Sequence, residues 1–142
     1  MNRPTWDSYF GRIAQVVATR SIDEETQVGC VIVDSDQRIV STGYNGHPAG
    51  MIDLPTTRPD KYPYMIHSEQ NALLFARTNM RGCKLYLTML MPCDNCAKLI
   101  CQVGINEVII VNKDLERMAR WDFEPTMIMF AKHGMILREI NI

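Results

Sequence analysis

No stretch of this sequence is long and apolar enough to cross a bilayer: its uninterrupted apolar runs are a few residues each, against the roughly 20 that a spanning helix needs. A charged segment followed by an apolar one, the mark of an export leader, is also missing from residues 1–11. The expectation is a cytoplasmic protein with no membrane partner, in the host cytoplasm if the source is viral. Charge of one sign is lacking too, with 15 Lys+Arg against 16 Asp+Glu and a net charge of −1. No broad positive field is available to gather a nucleic-acid backbone, so nucleic acid is not expected as a partner. A few lysines and arginines would still suffice for the phosphate of one nucleotide. Histidine is scarce, with three in the chain, and the five cysteines are an odd number. An odd count without an export signal argues against a disulfide framework and for free thiols or metal ligands.

What is present suits a single domain, 1–142. Trp6, Phe10, Ile13 and Val17 recur at helical spacing behind a capping Thr5, which predicts a helix over 5–19. β-branched residues at 28–34, a turn at 35–37 and extended character over 38–44 predict a hairpin. Residues 46–65 carry two glycines, four prolines and little periodicity, and predict a long loop. Helices follow over 68–79 and 93–103, strands over 84–88 and 107–111, a short helical or turn segment over 114–120, a helix over 125–132 closed by Gly134, and a strand over 135–140. The alternating second half predicts parallel strands joined by right-handed crossovers, and the whole an α/β/α three-layer sandwich with a five-stranded mixed sheet.

Chemistry concentrates where two loops meet helices. His67-Ser68-Glu69 precedes one helix, and Pro92-Cys93-Asp94-Asn95-Cys96 opens the next. Cys93 and Cys96 share one face of a helical first turn, where the helix dipole favours thiolate. With His67 they make three protein ligands, and zinc takes four. A structural zinc would be closed by a fourth residue, whereas three ligands leave a position for a water whose pKa falls to about 7. His47 and His133 have no neighbouring ligand spacing and are expected in loop or surface roles. Cys30 sits in an apolar run and is expected as a small core residue, and Cys83 and Cys101 have no partner spacing. Glu69, two residues past His67, is placed to carry protons between the attacking water, N3 of a cytosine and the departing amine. Residues two apart point away from each other in a regular helix, so His67 must precede the regular turns. H-x-E followed by P-C-x-x-C at the next strand-to-helix junction is the zinc deaminase signature.

These motifs, with Arg3-Pro-Thr-Trp-Asp-Ser-Tyr-Phe10, Gln27-Val-Gly-Cys-Val-Ile-Val33, Thr42-Gly-Tyr-Asn-Gly-His-Pro-Ala-Gly50 and His67-Ser-Glu-Gln-Asn-Ala72, resemble the deoxycytidylate deaminase family in order along nearly the whole chain. The resemblance implies a cytidine deaminase-like fold and zinc-dependent hydrolysis of dCMP to dUMP and ammonia, supplying dTMP synthesis. It implies zinc on His67, Cys93 and Cys96, Glu69 as general acid and base, a sugar contact from Asn45, and a backbone N–H of Ser68 on the pyrimidine carbonyl. It further implies a homohexamer, activated by dCTP and inhibited by dTTP with Mg2+, with an effector site involving Gly43, Tyr44, Asn45 and Gly46. There are three departures from the family. Ser68 stands where alanine is usual. Residues 48–66 lack the cysteine or histidine that holds a second zinc in some relatives, which gives one zinc per chain. Asp23-Glu24-Glu25 is acidic where many relatives carry cysteine and arginine, which leaves phosphate binding to Arg20, Arg58, Lys61, Lys113 or Arg120 without a choice among them. Tyr44 or Tyr64 is a candidate to exclude a 2′-hydroxyl, and both suit core or loop packing equally well. The rivals are a deaminase of another base or of tRNA, a non-catalytic zinc module, and a structural subunit of a viral assembly.

Overall fold

A computed structural model describes residues 2–142. The chain runs α1 (Trp6–Ala18), β1 (Gly29–Val33), β2 (Ile39–Tyr44), α2 (Ser68–Phe75), β3 (Lys84–Thr88), α3 (Asp94–Gln102), β4 (Glu107–Val111), α4 (Leu115–Met118), α5 (Glu124–His133) and β5 (Ile136–Ile140). The strands form one five-stranded sheet in the order β2-β1-β3-β4-β5. β1 pairs antiparallel with both β2 and β3, and β3, β4 and β5 run parallel, so the sheet is mixed.

Side chains alternate across the central strands and divide the core in two. Val31, Val33, Tyr86, Ile109 and Val111 face α1 and pack on Phe10 and Ala14. Cys30, Ile32, Leu85, Leu87, Val108 and Ile110 face the other way, against Ala72 of α2, Cys96, Ala97 and Ile100 of α3, and Phe130 of α5. Helices on both faces explain why β1 is buried throughout and β3 and β4 are buried after their half-buried first residues Lys84 and Glu107, while β2 at the edge alternates. This is the predicted three-layer α/β/α sandwich. Among the described residues, no helix is long and apolar enough to cross a membrane.

Local signals explain most of the element ends. The hydroxyl of Thr5 accepts from the Ser8 N–H at 3.1 Å and caps α1. In the hairpin turn, the Asp34 carboxylate accepts from the N–H groups of Asp36 and Arg38 at 2.9 and 3.0 Å. Gly134 ends α5 with φ of 79° and ψ of 29°, a left-handed cap.

Two expectations need correction. The second helix stops at Phe75 rather than residue 79, because Ala76 is extended, with ψ of 131°. Thr78 and Asn79 favour non-helical local bonds, and the Asn79 side chain accepts from the Arg81 N–H at 3.0 Å, which returns the chain so that Met80 is buried. The loop over 46–65 is also more ordered than its composition suggests. Gly46 and Ile66 exchange backbone hydrogen bonds of 3.1 and 2.8 Å, and Tyr62–Tyr64 forms a single 3-10 turn.

Candidate active site

The register brings the start of β1 together with the ends of β2 and β3, since Gly29 pairs with Tyr44 and Cys30 with Leu87. The N-termini of α2 and α3 open at that same end of the sheet. Gly43 makes the close approach possible. A Cβ there would lie 2.3 Å from the Ser68 carbonyl oxygen and 2.5 Å from the Ala72 nitrogen, so only glycine lets β2 lie against the first turn of α2.

His67 is the N-cap of α2, with extended φ and ψ of −70° and 155°, and Ser68 begins the helix. That change of backbone lets His67 and Glu69 lie on one pocket despite standing two apart. The Gln70 side chain accepts from the His67 N–H at 2.9 Å and closes the cap. Cys93 is likewise the N-cap of α3, and Cys96 lies in its first turn. The carbonyl of Pro92, on the approach, accepts from the Thr126 hydroxyl of α5 at 2.8 Å, so α5 holds the cysteine turn in place.

Nδ1 of His67 lies 3.3 Å from Cys96 Sγ and 3.5 Å from Cys93 Sγ, and the three donor atoms lie within 4.8 Å of one another. Zinc bonds of about 2.3 Å to sulfur and 2.1 Å to nitrogen, at tetrahedral angles, set the N···S edge near roughly 3.6 Å. The donor set therefore fits zinc in both chemistry and spacing. Hydrogen bonding from Cys96, with a further contribution from His67, outweighs burial and lowers the Cys93 thiol, the direction that favours the thiolate a metal needs. Among the described residues, this is the one group of three such side chains placed to hold a metal. His47 and His133 instead engage the carbonyls of Pro55 and Ile105, at 2.8 and 2.9 Å, in packing roles.

Glu69 is 5% exposed, and its Oε1 accepts from the Ser68 hydroxyl at 2.8 Å. Burial pushes its carboxyl above the usual range, against the opposing pull of His67, its own backbone N–H and Ser68. A raised carboxyl exchanges protons near neutral pH more readily than an exposed one. Serine at position 68 thus gives this carboxyl a hydrogen bond that alanine would not.

Val28, Leu87, Leu90 and Met91 form the apolar wall of the pocket, and Tyr62, Met65, Trp121 and Phe123 also border it. Its polar wall is Asp23, Thr26, Asn45, Arg58 and Lys61. The Asn45 amide accepts from the Val28 N–H at 2.8 Å and donates to the Thr26 carbonyl at 2.8 Å, with Asp23 Oδ2 at 3.4 Å, so it shapes this wall as well as facing the pocket. Of the five cations considered for a phosphate, Arg58 and Lys61 line the pocket. Arg20 and Arg120 are exposed on the surface, and Lys113 pairs with Glu139. Neither Tyr44 nor Tyr64 borders the pocket. Tyr62 does, and it belongs to the same 3-10 turn as Tyr64. Trp121 and Phe123 come from the α4–α5 connection, which carries no motif that points to the site.

Residues 4–112 match the cytidine and deoxycytidylate deaminase zinc-binding region. The chain belongs to the cytidine and deoxycytidylate deaminase family. It is therefore an enzyme, a hydrolytic deaminase. The human deoxycytidylate deaminase is 45% identical to it over 141 residues, covering 89% of this chain and 79% of that one. The deoxycytidylate deaminase of Mycobacterium phage D29 is 39% identical over 125 residues, covering 77% and 96%. Among solved structures, the dCMP deaminase of cyanophage S-TIM5 in complex with dCMP and dUMP superposes with a TM-score of 0.76 at 21% identity, over 99% of this deaminase and all of that chain. That likeness shows the cytidine deaminase-like fold.

Proposed function

We propose that this deaminase converts dCMP and water to dUMP and ammonia. The observation that carries the reading is the joining, in one pocket, of His67, Cys93 and buried Glu69 with the cations Arg58 and Lys61. A deaminase acting on a free base would have no use for the guanidinium nitrogen that Arg58 keeps without an acceptor. The similarity to named deoxycytidylate deaminases supports the same substrate.

His67, Cys93 and Cys96 would hold the zinc, one per chain, which supplies Lewis-acid activation of water when bound. Glu69 accepts a proton from the attacking water and delivers it to N3 of the pyrimidine, then takes the remaining proton from the oxygen added at C4 and donates it to the exocyclic nitrogen as ammonia leaves. The N–H of Ser68 lies in the first turn of α2, where no helical carbonyl is available to it, and donates to the pyrimidine carbonyl. Val28, Leu87, Leu90 and Met91 pack the ring and exclude bulk water, and Asn45 contacts the sugar. The place of such an enzyme is in the cytoplasm, on the supply of dTMP.

Activation by dCTP and inhibition by dTTP with Mg2+, through Gly43, Tyr44, Asn45 and Gly46, belong to the same reading and rest on the resemblance of those four residues to the family block. Association with further copies is supported by the apolar side chains exposed on α2, α3 and α5, namely Leu74, Phe75, Leu99, Met127 and Ile128, and the homohexamer rests on the family resemblance. The test is ammonia release from dCMP by zinc-loaded protein, with and without each triphosphate. Turnover is expected, with one zinc per chain and opposite responses to dCTP and dTTP. No turnover under any of these conditions refutes the assignment of substrate.

A further inference from the structure

The cations of the polar wall are not equivalent. Lys61 is buried, and its ammonium lies 3.0 and 2.8 Å from the two Asp23 oxygens and 3.2 Å from Glu25 Oε1. An ammonium has three donors, so three oxygens exhaust it. Arg58 has five donors on its guanidinium. Nη2 lies 3.3 Å from Glu25 Oε2, whereas Nη1 is buried and has no hydrogen-bond partner among the described residues. A buried guanidinium nitrogen left without an acceptor costs stability, which an arriving anion would restore.

The frame around Arg58 is fixed from several sides. Its backbone N–H donates to Glu25 Oε1 at 2.6 Å, so Glu25 holds both the main chain and the guanidinium of the same residue. Asp23 Oδ1 accepts from the N–H groups of Glu25 and Thr26 at 2.8 and 2.9 Å. Arg117 of α4 donates to the Glu25 carbonyl and the Thr26 hydroxyl at 2.8 and 2.9 Å. The acidic turn at 23–25 thus holds a cation rather than an anion.

We propose that Arg58 is the residue that recognises the substrate's phosphate and so sets the preference for a nucleotide over a nucleoside, with Lys61, Asp23 and Glu25 as positioning residues. The inference rests on the dCMP reading above and deepens it. The acidic turn does not abolish phosphate binding. It transfers the task from the turn to the loop packed against it, and presents a guanidinium whose orientation is set before the substrate arrives.

The test compares wild type, Arg58→Gln, Arg58→Lys and Arg120→Gln as zinc-loaded proteins. Calorimetry measures binding of dUMP against deoxyuridine, and kinetics measure KM and kcat for dCMP against deoxycytidine. Arg58→Gln is expected to lower the preference for the phosphorylated ligand roughly 10- to 100-fold, with the loss in KM rather than kcat. Arg58→Lys should retain part of the preference and decides the matter if the glutamine variant does not fold. Arg120→Gln should keep the wild-type ratio. A ratio unchanged in the Arg58 variants, an equal loss for both ligands, or a wild type without preference for dUMP overturns the proposal. If the wild type deaminates neither dCMP nor deoxycytidine but still prefers dUMP through Arg58, the substrate assignment fails and the phosphate site stands.

Discussion

A carboxyl as enclosed as Glu69 is costly as a charged group, and it is retained here beside three side chains placed to hold a metal. Glu69→Gln preserves the shape and removes the proton carrier. Its kcat for dCMP should fall about 10²- to 10⁴-fold while zinc content stays at the wild-type level. Ammonia release and metal analysis on the same sample check this, and a loss of zinc would mean that Glu69 serves the metal site instead. Asp23 poses a different residue-scale problem, because its charge is buried with that of Lys61. Burial raises the Asp23 carboxyl, but hydrogen bonds from Lys61 and from the N–H groups of Thr26 and Glu25 prevail and hold it below the usual carboxylate range. Lys61→Met should cost roughly 3 kcal/mol in urea denaturation, since it leaves a buried carboxylate without its cation. Adding Asp23→Asn to that variant should recover part of the loss. Lys61 was visible in the sequence as one basic residue among several, and its burial against Asp23 was not, because the pairing spans 38 positions of chain.

Among the elements, α2 depends on its neighbour β2 more than on its own sequence. Its eight residues are few for an isolated helix, and Leu74 and Phe75 are exposed. What holds its first turn, and with it His67 and Glu69, is contact with β2 at Gly43. Gly43→Ala places a methyl group against the backbone of α2, which must shift outward, so a loss of about 1–3 kcal/mol in stability is expected. The loss should be accompanied by weaker zinc retention, measured by competition with a chelator. Full zinc affinity in that variant would show that the metal site tolerates displacement of α2. Residues 43–46 were legible as a strand ending in a turn, but the reason for glycine at 43 was not, since it lies in an element 25 residues further along the chain.

Across the whole molecule, Arg138 of β5 joins Asp7 of α1 at 2.8 and 3.0 Å and Glu107 of β4 at 2.7 and 2.9 Å, and the Tyr86 hydroxyl donates to Asp7 at 2.6 Å. The Arg138 hydrogen bonds, against burial, hold the Asp7 carboxyl below its usual range. Asp7 and Asp23 therefore bind protons less readily folded than unfolded. Their contribution to stability is complete above the unfolded value of about 3.9 and is lost as pH falls through the lower folded values. Unfolding free energy should accordingly decline below about pH 4, and Asp7→Asn should flatten part of that decline in denaturant titrations at a series of pH values. An unchanged acid slope in Asp7→Asn would show that the α1–β5 link contributes nothing to acid sensitivity.

The sequence by itself determined the order of elements and the mixed sheet, because those follow from short-range periodicity, and it marked the H-x-E and C-x-x-C pairs by their spacings of two and three residues, while the fold brought His67 to the two cysteines across 26 positions. Trp121, Phe123 and Tyr62 at the pocket, the early end of α2, and the choice of Arg58 and Lys61 among five cations were decided by the tertiary structure. Each depends on which distant backbone lies alongside, and a charge in a sequence does not state whether a partner has already claimed it.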